Sequence, residues 1–362
     1  MIYDIAIVGA GIAGASLAAA VAPHARVLLL EAEDAAGYHA TGRSAAFWSE
    51  TYGGPDIQPL TAASGAPLGA GGFLEPLGSL HIGRAEDAAR VDAFLAAFEG
   101  TGVVLERADP AALVPGLRSE WTLGVREPSC AYIDVGGLHG ALLASAKRDG
   151  ADLVTRAGLS AAERRNGRWL IDTPAGHFEA DVLVNAAGAW ADPIALRCGA
   201  RPLGIQPYRR TLVQMRTDPA APATMPHVAD ISGNFYFKPE AGGKLWLSPH
   251  DETPTDPCDA APEELDVAIA IDRFERVVDW RVAAVERRWA GLRTFAPDRL
   301  PVYGFDADVP ALFWCAGQGG FGIQTAPAAA MLASSVLLGR SPDPAVAAID
   351  PERYAPTRFA AG

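Results

Sequence analysis

Ile5-Ala6-Ile7-Val8-Gly9-Ala10-Gly11-Ile12-Ala13-Gly14 is the stretch whose reading decides the fold. Four apolar residues run into a glycine-rich turn, an alanine-rich helical pattern follows, and Val27-Leu28-Leu29-Leu30 then ends in Glu31. The spacing predicts a buried strand, a tight turn, a helix and a second buried strand closed by an acid, about 20 residues beyond Gly11. Each glycine has its own task. Gly9 permits the tight turn, Gly11 lets the backbone approach a pyrophosphate, and Gly14 lets helix and strand pack closely. The free N–H groups at the start of the helix favour a diphosphate. Glu31 is placed to accept hydrogen bonds from ribose hydroxyls. A G-x-G-x-x-G alone is a weak signal, but here it stands in the full strand, helix, strand and acid context. It marks a dinucleotide site and leaves open which dinucleotide is bound, since Glu31 suits NAD as well.

The 362 residues suffice for about two domains, and 49% hydrophobic with 20% charged residues is the balance of a globular protein with a sizeable core. A net charge of −13 argues against nucleic acid, whose phosphates need a basic surface. No apolar run is long enough to cross a bilayer, and no basic, apolar leader opens the chain. Cys130, Cys198, Cys258 and Cys315 are scattered with no metal spacing, which reads as thiols of a reducing cytosol. The expected location is therefore cytoplasmic, with peripheral membrane contact left open.

Strand-to-helix texture returns twice. Asp181-Val182-Leu183-Val184-Asn185-Ala186-Ala187-Gly188 and Ala311-Leu312-Phe313-Trp314-Cys315-Ala316 both enter small-residue turns. Between them, alternating strands in 202–291 and irregular segments in 47–137 point to antiparallel sheet. The expectation is an α/β protein with an α+β second domain, each discontinuous in sequence. A Rossmann-like nucleotide-binding domain takes 1–46, 138–200 and 294–362, and an antiparallel-sheet substrate domain takes 47–137 and 201–293.

Taken together, Gly9 to Gly14 with Glu31, Thr41-Gly42-Arg43-Ser44-Ala45-Ala46, Val184-Asn185-Ala186-Ala187-Gly188-Ala189-Trp190, Trp289-Ala290-Gly291-Leu292-Arg293 and 317–325 resemble the D-amino-acid oxidase and dehydrogenase family. That family includes glycine oxidase, sarcosine oxidase and D-arginine dehydrogenase, and the likeness covers nearly the whole chain. It implies an FAD-binding domain of the glutathione-reductase type with non-covalent FAD. Gly9, Gly11, Gly14, Glu31, Gly42, Arg43, Ser44, Ala45, Ala187, Gly188, Trp190, Gly319, Gly320, Gly322 and Ile323 are implied at the cofactor. His39 and Cys315 are not expected to attach it covalently. The glycine-rich 317–322 turn would aim N–H groups at the pyrimidine edge of the flavin.

Oxidation at Cα needs a carboxylate clamp, for which the planar guanidinium of arginine is suited. Arg293 stands where the family places its carboxylate-binding arginine, and Arg210 is the second candidate. Tyr236 and Tyr52 match positions where relatives meet the substrate. His227 is a candidate for substrate contact or proton transfer, whereas His81 reads as structural. The resemblance implies hydride transfer from a D-amino acid to flavin N5, then hydrolysis of the imino acid to a 2-oxo acid and ammonia, with a quinone or oxygen as electron acceptor. Relatives that take basic amino acids need an acid at the distal end, where this chain has Ser79. Phe47, Trp48, His227 and Ala229 also depart from that pattern. Neutral, apolar substrates are expected, with Glu75 the remaining candidate for a missing acid. Alternatives are a 2-hydroxy-acid dehydrogenase, a secondary-amine oxidase, a nicotinamide-dependent dehydrogenase and a flavin-binding protein without turnover.

Overall fold

The computed structural model describes residues 2–359. Its first sheet is built on five parallel strands, in the order Leu312–Ala316, Gly176–Asn185, Ile2–Val8, Val27–Leu30 and Asp152–Val154. An antiparallel meander (Ala161–Arg165, Arg168–Thr173) pairs with the first half of the 176–185 strand, and Val302–Phe305 pairs with Leu312–Ala316. Val27–Leu30 is buried throughout, as a strand covered on both faces must be. One face packs against the helices Ile12–Val21 and Ala326–Leu338 through Ile5, Ile7, Leu17, Leu29, Phe313 and Leu332. The other is closed by Trp169, Ile171, Leu183, Ile194 and Trp314.

Register sets where the site lies. Val8 pairs with both Asn185 and Leu30, so three parallel strands end level. Their exits are Gly9, Ala186 and Glu31, and a ligand of an open α/β sheet lies in that crevice. Gly9 has φ +103, and a Cβ there would stand 2.4 Å from the Ala186 carbonyl oxygen. At Gly14 a Cβ would stand 1.8 Å from the Gly9 oxygen. Only glycine fits either place.

The second sheet has ten strands, its central pair being Gln206–Asp218 and Arg281–Phe295, antiparallel along their length. Beyond them lie Lys244–Ser248, Tyr236–Glu240, His227–Asp230, Ser79–Arg84 and Trp121–Glu127. One face packs on the helix Glu264–Glu275 through Val213, Met215, Phe237, Leu247, Phe274 and Trp280. Pairing of Arg210 with Gly291, Tyr208 with Arg293 and Leu212 with Trp289 puts those residues on the opposite face. The alternation extends that face to Tyr236, Ala229, His227, His81 and Glu127. Gln318–Gly319 pairs with Thr294–Phe295, so the turn after the last parallel strand joins the second sheet directly. A small sheet of Phe47–Trp48, Leu74–Pro76 and Ala131–Ile133 completes the strand inventory of the described residues. No helix among them is long and apolar enough to cross a membrane.

Candidate active site

A cavity of about 420 Å³ runs from the ends of the parallel strands to the outer face of the second sheet. At one end it is lined by Gly9, Gly11, Leu30, Glu31, Ala157, Leu159 and Ile194, and at the other by Phe47, Tyr52, Arg210, Leu212 and Arg293. Ala187, Gly188, Trp190, Gly319, Gly320, Gly322 and Ile323 line the stretch between.

The nucleotide end is a backbone cradle. Gly11 caps the helix in an extended conformation, supplies no side-chain acceptor, and leaves the first turn without an acid. Thr41 Oγ1 accepts the Ile12 N–H at 2.9 Å, locking the 41–43 turn to the helix start. Glu31 is buried; its two oxygens accept the N–H groups of Ala10 and Glu33, each at 3.0 Å. A carboxylate has about four acceptor directions, so two are left for ribose hydroxyls. His139, from the helix Val135–Arg148, donates Nε2–H to the Ala10 carbonyl at 2.9 Å and braces the turn from behind. These features fit an extended dinucleotide: a free helix N-terminus, an acid with spare acceptor capacity, and glycines where a Cβ would intrude.

Not every residue expected at the cofactor reaches the cavity. Gly14 and Gly42 lie outside its lining, where both serve packing: a Cβ on Gly42 would stand 2.9 Å from the Gly37 oxygen. Arg43 lines the cavity, but its guanidinium pairs with Asp259 and donates to the Ala260 and Ala290 carbonyls at 2.7 and 3.3 Å. Ser44 accepts the Ala46 N–H at 3.0 Å and shapes the turn in which Ala46 takes φ +56. Ala45 is buried on the cavity wall.

The opposite end is made of side chains. Arg210 and Arg293 are diagonal neighbours on the shared sheet face. Arg210 is 2% exposed, donates Nε–H to the Asp251 carbonyl at 2.6 Å and pairs through Nη2 with Glu252 at 3.1 Å. Its Nη1 is buried without a partner among the described residues. Burial, then the charge of Arg293, pulls the Arg210 pKa below its ordinary value. Arg293 lies 5.6 Å from the Tyr52 ring centre and 3.4 Å from the Tyr236 hydroxyl, with no carboxylate in ion-pair range among the described residues. Two neighbouring guanidiniums on one wall, one with a buried N–H left over, form an electropositive face whose spare donor suits an anionic group. Gly320 closes it from the turn after the last parallel strand, since a Cβ there would stand 2.2 Å from the Tyr52 hydroxyl.

Tyr236 supports Arg293 from behind the lining. His227, expected at the substrate, sits outside the cavity wall. It is buried against Phe47 and Tyr236, with Nδ1 3.0 Å from Ser79 Oγ and Nε2 unpartnered. Burial, reinforced by nearby His81, Lys238 and His250, holds its pKa well below the usual histidine value, so the ring is neutral. Glu75 lies exposed on an outer strand and is no part of the cavity. His250, which carried no local signal, is adjacent. Its Nδ1–H donates to the Gly233 carbonyl at 2.5 Å, its φ is +56, and its ring stands edge-on to Tyr236. Burial, then Arg210 and Arg293, lowers its pKa to about 3. Gln324 was also missed: from the cavity wall its Nε2 donates to the Tyr52 carbonyl at 3.0 Å.

The family model for FAD dependent oxidoreductases (DAO) matches residues 4–335. The chain belongs to this family. Its cofactor is FAD, and the fold and family expected from the sequence both hold. Mitochondrial dimethylglycine dehydrogenase of Mus musculus is 28% identical over 253 residues, covering 64% of this chain and 29% of that protein. Glycine oxidase of Geobacillus kaustophilus is 25% identical over 357 residues, 92% of this chain and 93% of the relative. Against several longer relatives, including the human dimethylglycine dehydrogenase (44% of its length), this DAO-family chain spans less than half. Among solved structures, G. kaustophilus glycine oxidase superposes with a TM-score of 0.85 at 23% identity, covering 99% of each chain. L-proline dehydrogenase from P. horikoshii superposes at 0.86 and 21%, covering 99% of this chain and 97% of that one.

Proposed function

We propose that this DAO-family protein oxidises the Cα–N bond of a small amino acid, with neutral, apolar D-amino acids preferred. The observation that carries this reading is Arg293, with no carboxylate in ion-pair range among the described residues, beside Arg210, whose Nη1–H is left over after its pairing with Glu252, both opposed by the 317–323 turn. FAD, when bound, accepts the hydride. The chain's part is to hold and orient. Arg293 receives the substrate carboxylate, and the planar fork fixes two oxygens at once. Arg210 adds its free Nη1–H, and the Tyr52 ring closes the site. The two fixed cations also disfavour an ammonium nearby, which promotes the neutral amine needed for hydride loss.

Residues 1–46, 138–200 and 294–362 would hold the cofactor, and 47–137 with 201–293 the substrate. The apolar preference is supported by the side chains available at that end: Phe47 and Leu212 line it, Ser79 is engaged with His227, and among the described residues no carboxylate lines it, the nearby Glu252 being paired with Arg210. An unpaired cationic side chain would be costly in such surroundings.

The test is an anaerobic titration of the flavoprotein with D- and L-amino acids, followed by its visible band. Bleaching by D-Leu or D-Phe ahead of D-Arg is expected. Bleaching by D-Arg with equal or higher kcat/KM overturns the preference, and bleaching by L-isomers alone overturns the stereochemistry. The dimethylglycine dehydrogenase relatives favour a second reading, oxidation of a secondary or tertiary amino acid on the same clamp. Formaldehyde released from an N-methyl substrate, in place of ammonia, would identify it. Acceptor assays with a quinone and with oxygen separate dehydrogenase from oxidase.

A further inference from the structure

Glu127 ends the strand Trp121–Glu127 on the face of the second sheet that looks toward the cavity, yet it lies outside the cavity lining. It is fully buried. A carboxylate so placed is costly unless its acceptor sites are filled. Here the groups that fill them come from three consecutive residues of one segment. Glu127 accepts the Ser49 hydroxyl at 2.8 Å, the Glu50 N–H at 2.7 Å and the Thr51 hydroxyl at 2.6 Å. His81 Nε2 stands 3.9 Å away, 3.3 Å from the Thr51 hydroxyl.

The next residue in that segment is Tyr52, whose ring lies over Arg293 and whose hydroxyl is against Gly320. From the opposite side Gln324 takes hold of the same segment, donating to the Tyr52 carbonyl and accepting the Ser49 N–H at 3.4 Å. The segment is thus pinned between the second sheet and the turn that precedes the helix Ala326–Leu338, and Glu127 supplies three of its anchors.

We propose that Glu127 is a positioning residue for the substrate site: its carboxylate fixes residues 49–51 so that Tyr52 stands over Arg293 and shapes the carboxylate pocket. This rests on Arg293 being the carboxylate anchor. Glu127 touches neither substrate nor cofactor in this scheme; it acts through Tyr52. Loss of its charge with its shape retained should loosen Tyr52 while leaving the nucleotide cradle untouched.

The experiment uses the FAD-loaded protein and benzoate, a carboxylate with no amine to oxidise, read by perturbation of the flavin band. Amino-acid turnover is measured alongside. In Glu127→Gln, benzoate Kd and substrate KM are expected to rise about tenfold, while kcat changes less than about twofold. Flavin content and the maximum of the unliganded band should stay as in the parent. Tyr52→Leu, which removes the ring over Arg293, serves as reference, and Glu127→Gln added to it should give less than the product of the two single effects, because both act through one contact. If Glu127→Gln does not fold, Thr51→Val removes the 2.6 Å anchor together with the longer contacts of that hydroxyl to Ser49 and His81, and should raise KM about threefold. Unchanged Kd and KM in the folded variant, or effects that multiply fully with Tyr52→Leu, overturn the proposal. Arg293→Ala distinguishes the two levels. If it leaves benzoate binding intact, the anchor reading itself fails; if it abolishes binding while Glu127→Gln binds normally, only the positioning role fails.

Discussion

On the proposed reading, the two ends of the cavity meet the same requirement, a bound anion, with opposite materials. At the nucleotide end the charge is received by backbone: a helix start capped by Gly11, with glycines where a Cβ would strike another strand's carbonyl. At the substrate end it is received by side chains, Arg210 and Arg293, standing on neighbouring strands and held by Glu252, the Asp251 carbonyl, Tyr52 and Tyr236. A backbone site is fixed by steric room and varies little with side-chain charge. A side-chain site is fixed by electrostatics and tolerates small changes of volume. Each end should therefore fail under the perturbation that the other survives.

The harshest test of the contrast is one methyl group at the backbone end. Gly14→Ala places a Cβ 1.8 Å from the Gly9 oxygen, a clash on the order of 3 kcal/mol or more. Purified protein should be largely flavin-free with a lowered Tm; full flavin occupancy would show that the turn yields. At the other end, Arg293→Ala should lower kcat/KM for the amino acid about a thousandfold with flavin content unchanged, and Arg293→Lys should recover little because the bidentate fork is lost. Arg210→Gln should cost about a hundredfold in kcat/KM, less than Arg293, since Arg210 already spends two donors on protein. Equal effects of the two would mean that the clamp is symmetric.

A gentler probe is pH. His250 titrates at about 3 in the fold, against an ordinary value near 6.5. Below about 6.5 the unfolded chain binds a proton that the folded protein refuses. Stability is thus complete above that pH and falls as pH drops toward 3. Denaturation midpoints across this window should fall less steeply in His250→Gln than in the parent. Smallest of all, Tyr236→Phe removes a long 3.4 Å contact and should raise KM by less than about fivefold, with kcat preserved.

The contrast also explains how much could be read from the chain. The nucleotide end was legible because its determinants are contiguous: Val8, Gly9, Gly11 and Gly14 with Glu31 lie within one strand–helix–strand unit. Ala187, Gly188 and the 319–323 turn repeat the same local grammar. Arg293, Arg210 and Tyr52 were reached through resemblance, not through any local pattern, since an arginine in a strand is equally at home in a surface ion pair. That His227 stands behind the lining was hidden for the same reason. Its sequence neighbourhood shows a strand but not which layer lies in front of it, and Phe47 occupies that layer. His250, His139 and Glu127 had no signal at all, and Gln324 none beyond its place in the 317–325 stretch, because what makes each of them matter is a partner far away in sequence.

The sequence by itself determined that this chain builds a parallel, nucleotide-binding sheet, because glycine positions and apolar periodicity act within a few residues of chain. The tertiary structure alone decided the substrate end. Antiparallel register made Arg210 and Arg293 diagonal neighbours, and packing of one sheet against the other placed Gly320, Tyr52 and Glu127 around them. Charges that lie on separate strands acquire their meaning from distance, and distance across the chain is what folding sets.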